Sequence, residues 1–189
     1  MTDVELATRR TLEADPAITS VELTGSRGRG DAAPFSDWDF VVRTDDFLAV
    51  ADRLPALVAP LGALGELWDP LSEQWCYMFM LPGPTKIDLM FERPHRASPP
   101  WTADAPATDV DCHFWDWIWW LATKDRRGMT NLVGGELSKM QAFLLGPIGG
   151  GTSPDGIAAA VAAYRRVRPS LSALGAEVCA GLRHLGYEI

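Results

Sequence analysis

Three aspartates carry the most specific chemical signal in this sequence. Asp37 and Asp39 stand two apart in Asp37-Trp38-Asp39-Phe40-Val41-Val42-Arg43, a run otherwise composed of strand formers. Side chains alternate along a strand, so both carboxylates face one way, about 7 Å apart, while Trp38 and Phe40 face a core. Two like charges that close repel unless a cation lies between them. The third acid, Asp88, interrupts the apolar run Thr85-Lys86-Ile87-Asp88-Leu89-Met90-Phe91 on the face opposite Ile87, Leu89 and Phe91. An aspartate in a strand interior needs a partner. If this strand lies beside the first, three hard oxygen ligands converge, a set suited to Mg²⁺ with coordination positions left for substrate phosphates.

A second feature precedes the acids. Leu23-Thr24-Gly25-Ser26-Arg27-Gly28-Arg29-Gly30 follows a short apolar stretch. Gly25 and Ser26 are placed to open a short helix whose backbone N–H groups can meet a phosphate, and the missing Cβ of glycine permits that approach. Arg27 and Arg29 flank the turn, where a guanidinium suits the charge of a leaving group.

These residues need elements to hold them. Helix formers over 2–15 stop at Pro16. Ile18 to Leu23 reads as a strand, residues 37–43 as another, and Thr44 as the cap of a helix over about 45–60 with Asp45 and Asp46 in its first turn. Residues 64–68, 74–81 and 85–92 read as three more strands, separated by Asp69-Pro70 and Pro82-Gly83-Pro84 turns. Four prolines between Arg93 and Thr108 mark a linker. Beyond it the pattern is helical. A helix over 111–127 is apolar on nearly every face, a second spans about 130–145, and another starts near Pro154. The expected organisation is an α/β domain over 1–93, a Pro-rich linker over 94–108 and a helical domain over 109–189.

Gly-Ser, an Asp-x-Asp strand about ten residues on, and a later strand Asp together resemble the DNA polymerase β-like nucleotidyltransferase superfamily. The resemblance covers about residues 1–92, and the order of elements agrees. It implies an α+β fold: a small mixed β-sheet with flanking helices, followed here by an α-helical C-terminal domain. It further implies that Gly25 and Ser26 hold the β- and γ-phosphates of a nucleoside triphosphate, that Asp37 and Asp39 bind Mg²⁺, and that Asp88 binds metal or accepts a proton. The reaction implied is transfer of a nucleoside monophosphate, AMP from ATP, to a hydroxyl with loss of pyrophosphate.

Phe114-Trp115 followed by Lys124-Asp125 in one helix loosely resembles the antibiotic nucleotidyltransferases, which modify aminoglycosides or lincosamides. That branch implies a helical lysine on the triphosphate, here Lys124, and a glutamate base, for which Glu136 and Glu92 are the candidates. Asp116, Trp120 and Lys124 fall four apart on one helix face. Many drug-modifying members are longer, so the acceptor pocket is either open here or completed by a second subunit, and the Trp-rich helix offers apolar surface for a homodimer. Two other readings compete. One is the minimal nucleotidyltransferase of toxin–antitoxin pairs, which places AMP on a protein partner. The other is a nucleotide-binding scaffold without turnover.

Composition narrows the partners. Against 25 acidic residues stand 17 Lys and Arg, for a net charge of −8. Such a surface repels polyphosphate backbones and argues against a grip on long DNA or RNA. It suits a cationic acceptor, towards which Asp69, Glu73, Glu92, Asp109, Asp111 and Asp116 are available. Three widely spaced cysteines, Cys76, Cys112 and Cys179, form no C-x-x-C pair and read as free buried thiols in a reducing compartment. His95, His113 and His184 lack metal spacing. No apolar run reaches the length of a membrane span, and the expectation is a cytoplasmic protein.

Overall fold

A computed structural model describes residues 3–98 and 101–189. Thr2 of the expected first helix, and Pro99 and Pro100 of the expected linker, lie outside the described residues. The chain divides into two compact units, Met1–Ala97 and Ser98–Ile189. The architecture is α+β, a five-stranded mixed sheet with helices followed by a helical region.

The first unit runs α1 (Asp3–Leu12), β1 (Ile18–Leu23), α2 (Gly25–Arg29), β2 (Trp38–Thr44), α3 (Phe47–Val58), β3 (Gly65–Trp68), β4 (Gln74–Leu81) and β5 (Thr85–Pro94). The sheet order is β1-β2-β5-β4-β3. Only the β2–β5 pair is parallel, because α3, β3 and β4 intervene between them in sequence. Period-two alternation then sorts the two faces. Trp38, Phe40 and Val42 from β2 and Ile87, Leu89 and Phe91 from β5 point into a core with Leu12 of α1 and Phe47, Val50, Leu54 and Val58 of α3. The intervening residues, Asp39, Lys86 and Asp88, are left on the other face.

The cap of α3 differs from expectation. Asp46, not Thr44, is the N-cap, and its carboxylate accepts from the Ala49 N–H at 3.1 Å. Thr44 Oγ1 instead accepts from the Asp46 N–H. Thr44 remains in β2, whose pairing with Ile18 outweighs the capping preference. Helix α1 also stops early, at Leu12, because Asp15 is drawn into a turn. There it is almost fully buried and takes a bidentate ion pair from Arg53, with Nε at 2.7 Å and Nη2 at 2.9 Å.

The second unit contains α4 (Ala107–Asp125), α5 (Thr130–Met140) continuing as a π-helical turn to Leu145, α6 (Ile157–Val167) and α7 (Ala173–His184). Helix α4 begins four residues before the expected start, with Pro106 preceding its first turn. Residues 112–119 are buried without a break, which explains a sequence apolar on nearly every face. Where one helix was expected from about Pro154, α6 and α7 are separate elements, set apart by Pro169, with Ser172 capping α7 by accepting from the Gly175 N–H. Asp111 holds this unit together: Oδ1 accepts from Trp115 Nε1 (2.8 Å) and Tyr164 Oη (2.9 Å), and Oδ2 from Ser172 Oγ (2.5 Å). Among the described residues no helix is long and apolar enough to cross a membrane.

Candidate active site

The parallel register of β2 and β5 places Asp39 directly opposite Asp88. Residues opposite each other on neighbouring strands share a face, so the two carboxylates lie side by side on the face away from the core. Asp37, immediately before β2, is 7% exposed, and its charge is felt at Asp88. Strand order therefore brings Asp39 and Asp88 together, with Asp37 within electrostatic reach of Asp88.

Gly25 meets this face from the turn after β1. The Thr24 N–H donates to the Asp39 carbonyl at 2.8 Å, tying the start of α2 to β2. Gly25 has φ +60°, and a Cβ built there would lie 1.9 Å from Asp39 Oδ2. Only glycine lets the Asp39 carboxylate rest on the backbone of this turn. Gly25 is thus brought to the acidic face, with Ser26 next to it in α2.

Arg27 and Arg29 part company. Arg27 Nε and Nη2 donate to the Ser36 carbonyl (3.0 and 2.7 Å), Nε also to the Asp37 carbonyl (3.1 Å), and the guanidinium lies 3.8 Å above the Trp38 ring. It braces the segment that presents Asp37. Arg29 is exposed and pairs with Asp31 at 3.4 Å.

Burial pushes the Asp88 carboxyl above its ordinary range; the Lys86 ammonium beside it pulls it back, and the charges of Asp37 and Asp69 push it up again. Lys86 Nζ donates to Asp88 Oδ1 at 2.7 Å, and the lysine is 7% exposed. Lys86 is the residue that sequence reasoning missed. The signal was its position two before Asp88, which puts both on one strand face. The charge of Asp69 is also felt at Asp88.

The remaining candidates are placed as follows. Glu92 is exposed and paired with Arg43 at 3.0 Å. In the second unit, Glu136 accepts from Trp117 Nε1 (3.2 Å) and Lys139 Nζ (2.5 Å). Lys124 Nζ lies 5.1 Å over the Trp120 ring, as their spacing on one helix face requires. Asp116, read among the steering charges, is buried. The cysteines form no disulfide among the described residues, Cys112 and Cys179 being buried and Cys76 partly so. His113 accepts from Trp101 Nε1, and His95 meets the Ser72 carbonyl; both contacts are structural.

Among the described residues, no three His, Cys, Asp or Glu side chains already stand in a metal-holding arrangement. The donor set nevertheless fits a hard divalent cation. It offers carboxylate oxygens from adjacent strands, one of them pressed against a glycine cradle, and an ammonium already stands as a cation on Asp88.

Residues 7–67 match the family model of the nucleotidyltransferase domain. The matched segment contains Gly25, Ser26, Asp37 and Asp39 and ends before Asp88 and Lys86. The match supports nucleotidyl transfer in general, with a nucleoside triphosphate as donor. No curated protein matches the chain.

Proposed function

We propose that this protein transfers a nucleoside monophosphate, AMP from ATP, to a hydroxyl of a small molecule with Mg²⁺ as cofactor, an aminoglycoside or lincosamide being the acceptor class to test first. The observation that carries the reading is the pairing of Asp39 with Asp88 across β2 and β5, with Asp39 seated on Gly25. In this reading residues 1–93 carry the chemistry, and residues 109–189, beyond the linker, serve the acceptor.

Asp37, Asp39 and Asp88 would hold the metal. Bound there, it supplies positive charge to the attacking and leaving oxygens of an in-line displacement. The rest falls to the chain. The backbone of Gly25 and Ser26 receives the terminal phosphates. Arg27 keeps Asp37 in place through the Ser36 and Asp37 carbonyls. The acceptor hydroxyl oxygen forms a bond to the α-phosphorus as the bond to the bridging oxygen breaks and pyrophosphate departs. The hydroxyl proton passes to the Asp88 carboxylate through Oδ2, the oxygen turned away from Lys86. Arg29, exposed beside the turn of Gly25 and Ser26, is assigned to the triphosphate. Glu92 and Glu136, each held in an ion pair, are given no step.

The test is incubation of ATP labelled at the α-phosphate with Mg²⁺, the protein and a panel of aminoglycosides and lincosamides. Label on one compound supports the reading. Label on a protein instead would replace the small-molecule acceptor by a polypeptide hydroxyl. Absence of transfer to any acceptor, together with absence of ATP binding, would overturn it.

A further inference from the structure

Lys86 stands at a place where a strand rarely carries a charge. It is buried on the same face as Asp88, two residues along β5, with Nζ 2.7 Å from Asp88 Oδ1 and 3.8 Å from Met78 Sδ. Met78 and Met80 of β4, opposite Asp88 and Lys86 in register, are themselves buried. An ammonium taken out of water is costly unless a carboxylate faces it. The carboxylate that faces this one is an acid already assigned to the metal.

We propose that Lys86 is a positioning residue that acts as a resident counter-ion. It holds Asp88 aligned and charge-balanced before the divalent cation arrives, and it must yield Asp88 Oδ1 when the cation binds. The proposal rests on the metal-dependent reading above and adds a competitor to it. Ammonium and metal claim the same oxygen, so metal affinity is set partly by Lys86. In return, the face carrying Asp37, Asp39 and Asp88 is relieved of part of its mutual repulsion while the metal is away.

Substituting Lys86→Met separates the roles, because methionine keeps the length and joins Met78 and Met80 without a charge. Binding of Mn²⁺, followed by its electron paramagnetic resonance signal without nucleotide, reads the competition directly. The expected result is tighter binding by Lys86→Met, by about tenfold, the equivalent of a one-unit shift in a pKa. Lys86→Arg, which keeps the charge, should stay near wild type, and Asp88→Asn should bind weakly. Wild-type binding unaltered or weakened in Lys86→Met overturns the proposal while leaving the metal reading intact. No Mn²⁺ binding by any of these proteins overturns both.

A second measurement does not depend on a folded variant. The chain has three lysines, Lys86, Lys124 and Lys139. With ¹³Cε-labelled lysine, saturation by Mg²⁺ should shift the Lys86 resonance as its ammonium leaves Asp88. A resonance unmoved at saturation overturns the proposal.

Discussion

Gly25→Ala probes the contact on which the proposed site is built. Two penalties are separable. At φ +60° a side chain costs about 1–2 kcal/mol wherever it stands. In addition, the new Cβ would sit 1.9 Å from Asp39 Oδ2 and 2.8 Å from its Cγ, where real contacts are not found below 3.0 Å. The carboxylate must therefore move by about 1 Å, a displacement that costs on the order of a hundredfold in rate at a reacting centre. Combining the two, Gly25→Ala should destabilise the protein by about 2–4 kcal/mol in urea unfolding. In an Asp39→Ala background the carboxylate is gone and only a 3.1 Å contact with Cβ remains. There the same substitution should cost no more than the left-handed penalty, about 1–2 kcal/mol. The coupling energy of the cycle should be about 1 kcal/mol or more. Equal costs in both backgrounds would show that Asp39 does not rest on Gly25 and would refute the reasoning.

Other predictions follow from single contacts. Asp15 is held below the ordinary carboxylate range, first by its hydrogen bonds from Arg53 and then by that from the Ala17 N–H. A depressed folded-state pKa gives stability that is present above the unfolded value, about 3.9, and is lost as pH falls through the folded one. Asp15→Asn should therefore flatten the acid limb of a Tm-versus-pH curve below about pH 4; an unchanged limb would contradict it. Arg27→Ala should lower kcat while costing little Tm, because Asp37 loses its brace and the core loses only the stacking on Trp38, and Arg27→Lys should not restore kcat, since one ammonium cannot span two carbonyls and stack on Trp38. A fall in Tm with kcat preserved would count against the brace. Asp111→Ala should leave three donors, on Trp115, Tyr164 and Ser172, without their acceptor, costing about 3 kcal/mol or more in chemical denaturation. A loss under 1 kcal/mol would show the network to be incidental.

Much of the first unit was legible because its pattern is binary. Asp37, Asp39 and Asp88 broke apolar strands at positions where only a shared polar face could accommodate them, and the strand order then delivered Asp39 opposite Asp88. Gly25 was legible as a turn, but the reason for it, the Asp39 carboxylate on its backbone, is a long-range contact that no local pattern carries. Lys86 went unremarked, and the contacts of Arg27 went unseen, for a common reason. A cation in a sequence is ordinarily solvated, and nothing local says that Lys86 is buried on Asp88 or that Arg27 spends its donors on Ser36 and Asp37. The cap of α3 slipped because strand pairing outbid local propensity at Thr44. In the second unit a helix apolar on all sides announced burial, but not its partners, and the break that sets α7 apart, Pro169 followed by the capping Ser172, went unread.

The central claim is that the face of β2 and β5 bearing Asp37, Asp39 and Asp88 is a nucleotide site that works with a divalent cation. It is tested most directly without any acceptor, by equilibrium binding of α-labelled ATP, GTP, CTP and UTP with Mg²⁺ or with EDTA, to the wild-type protein and to Asp39→Asn. Binding of at least one triphosphate with Mg²⁺ is expected, with its loss in EDTA and at least tenfold weaker binding by Asp39→Asn, equivalent to about 1.4 kcal/mol, at unchanged Tm. Binding indifferent to both Mg²⁺ and Asp39, or no binding of any of the four, would contradict it.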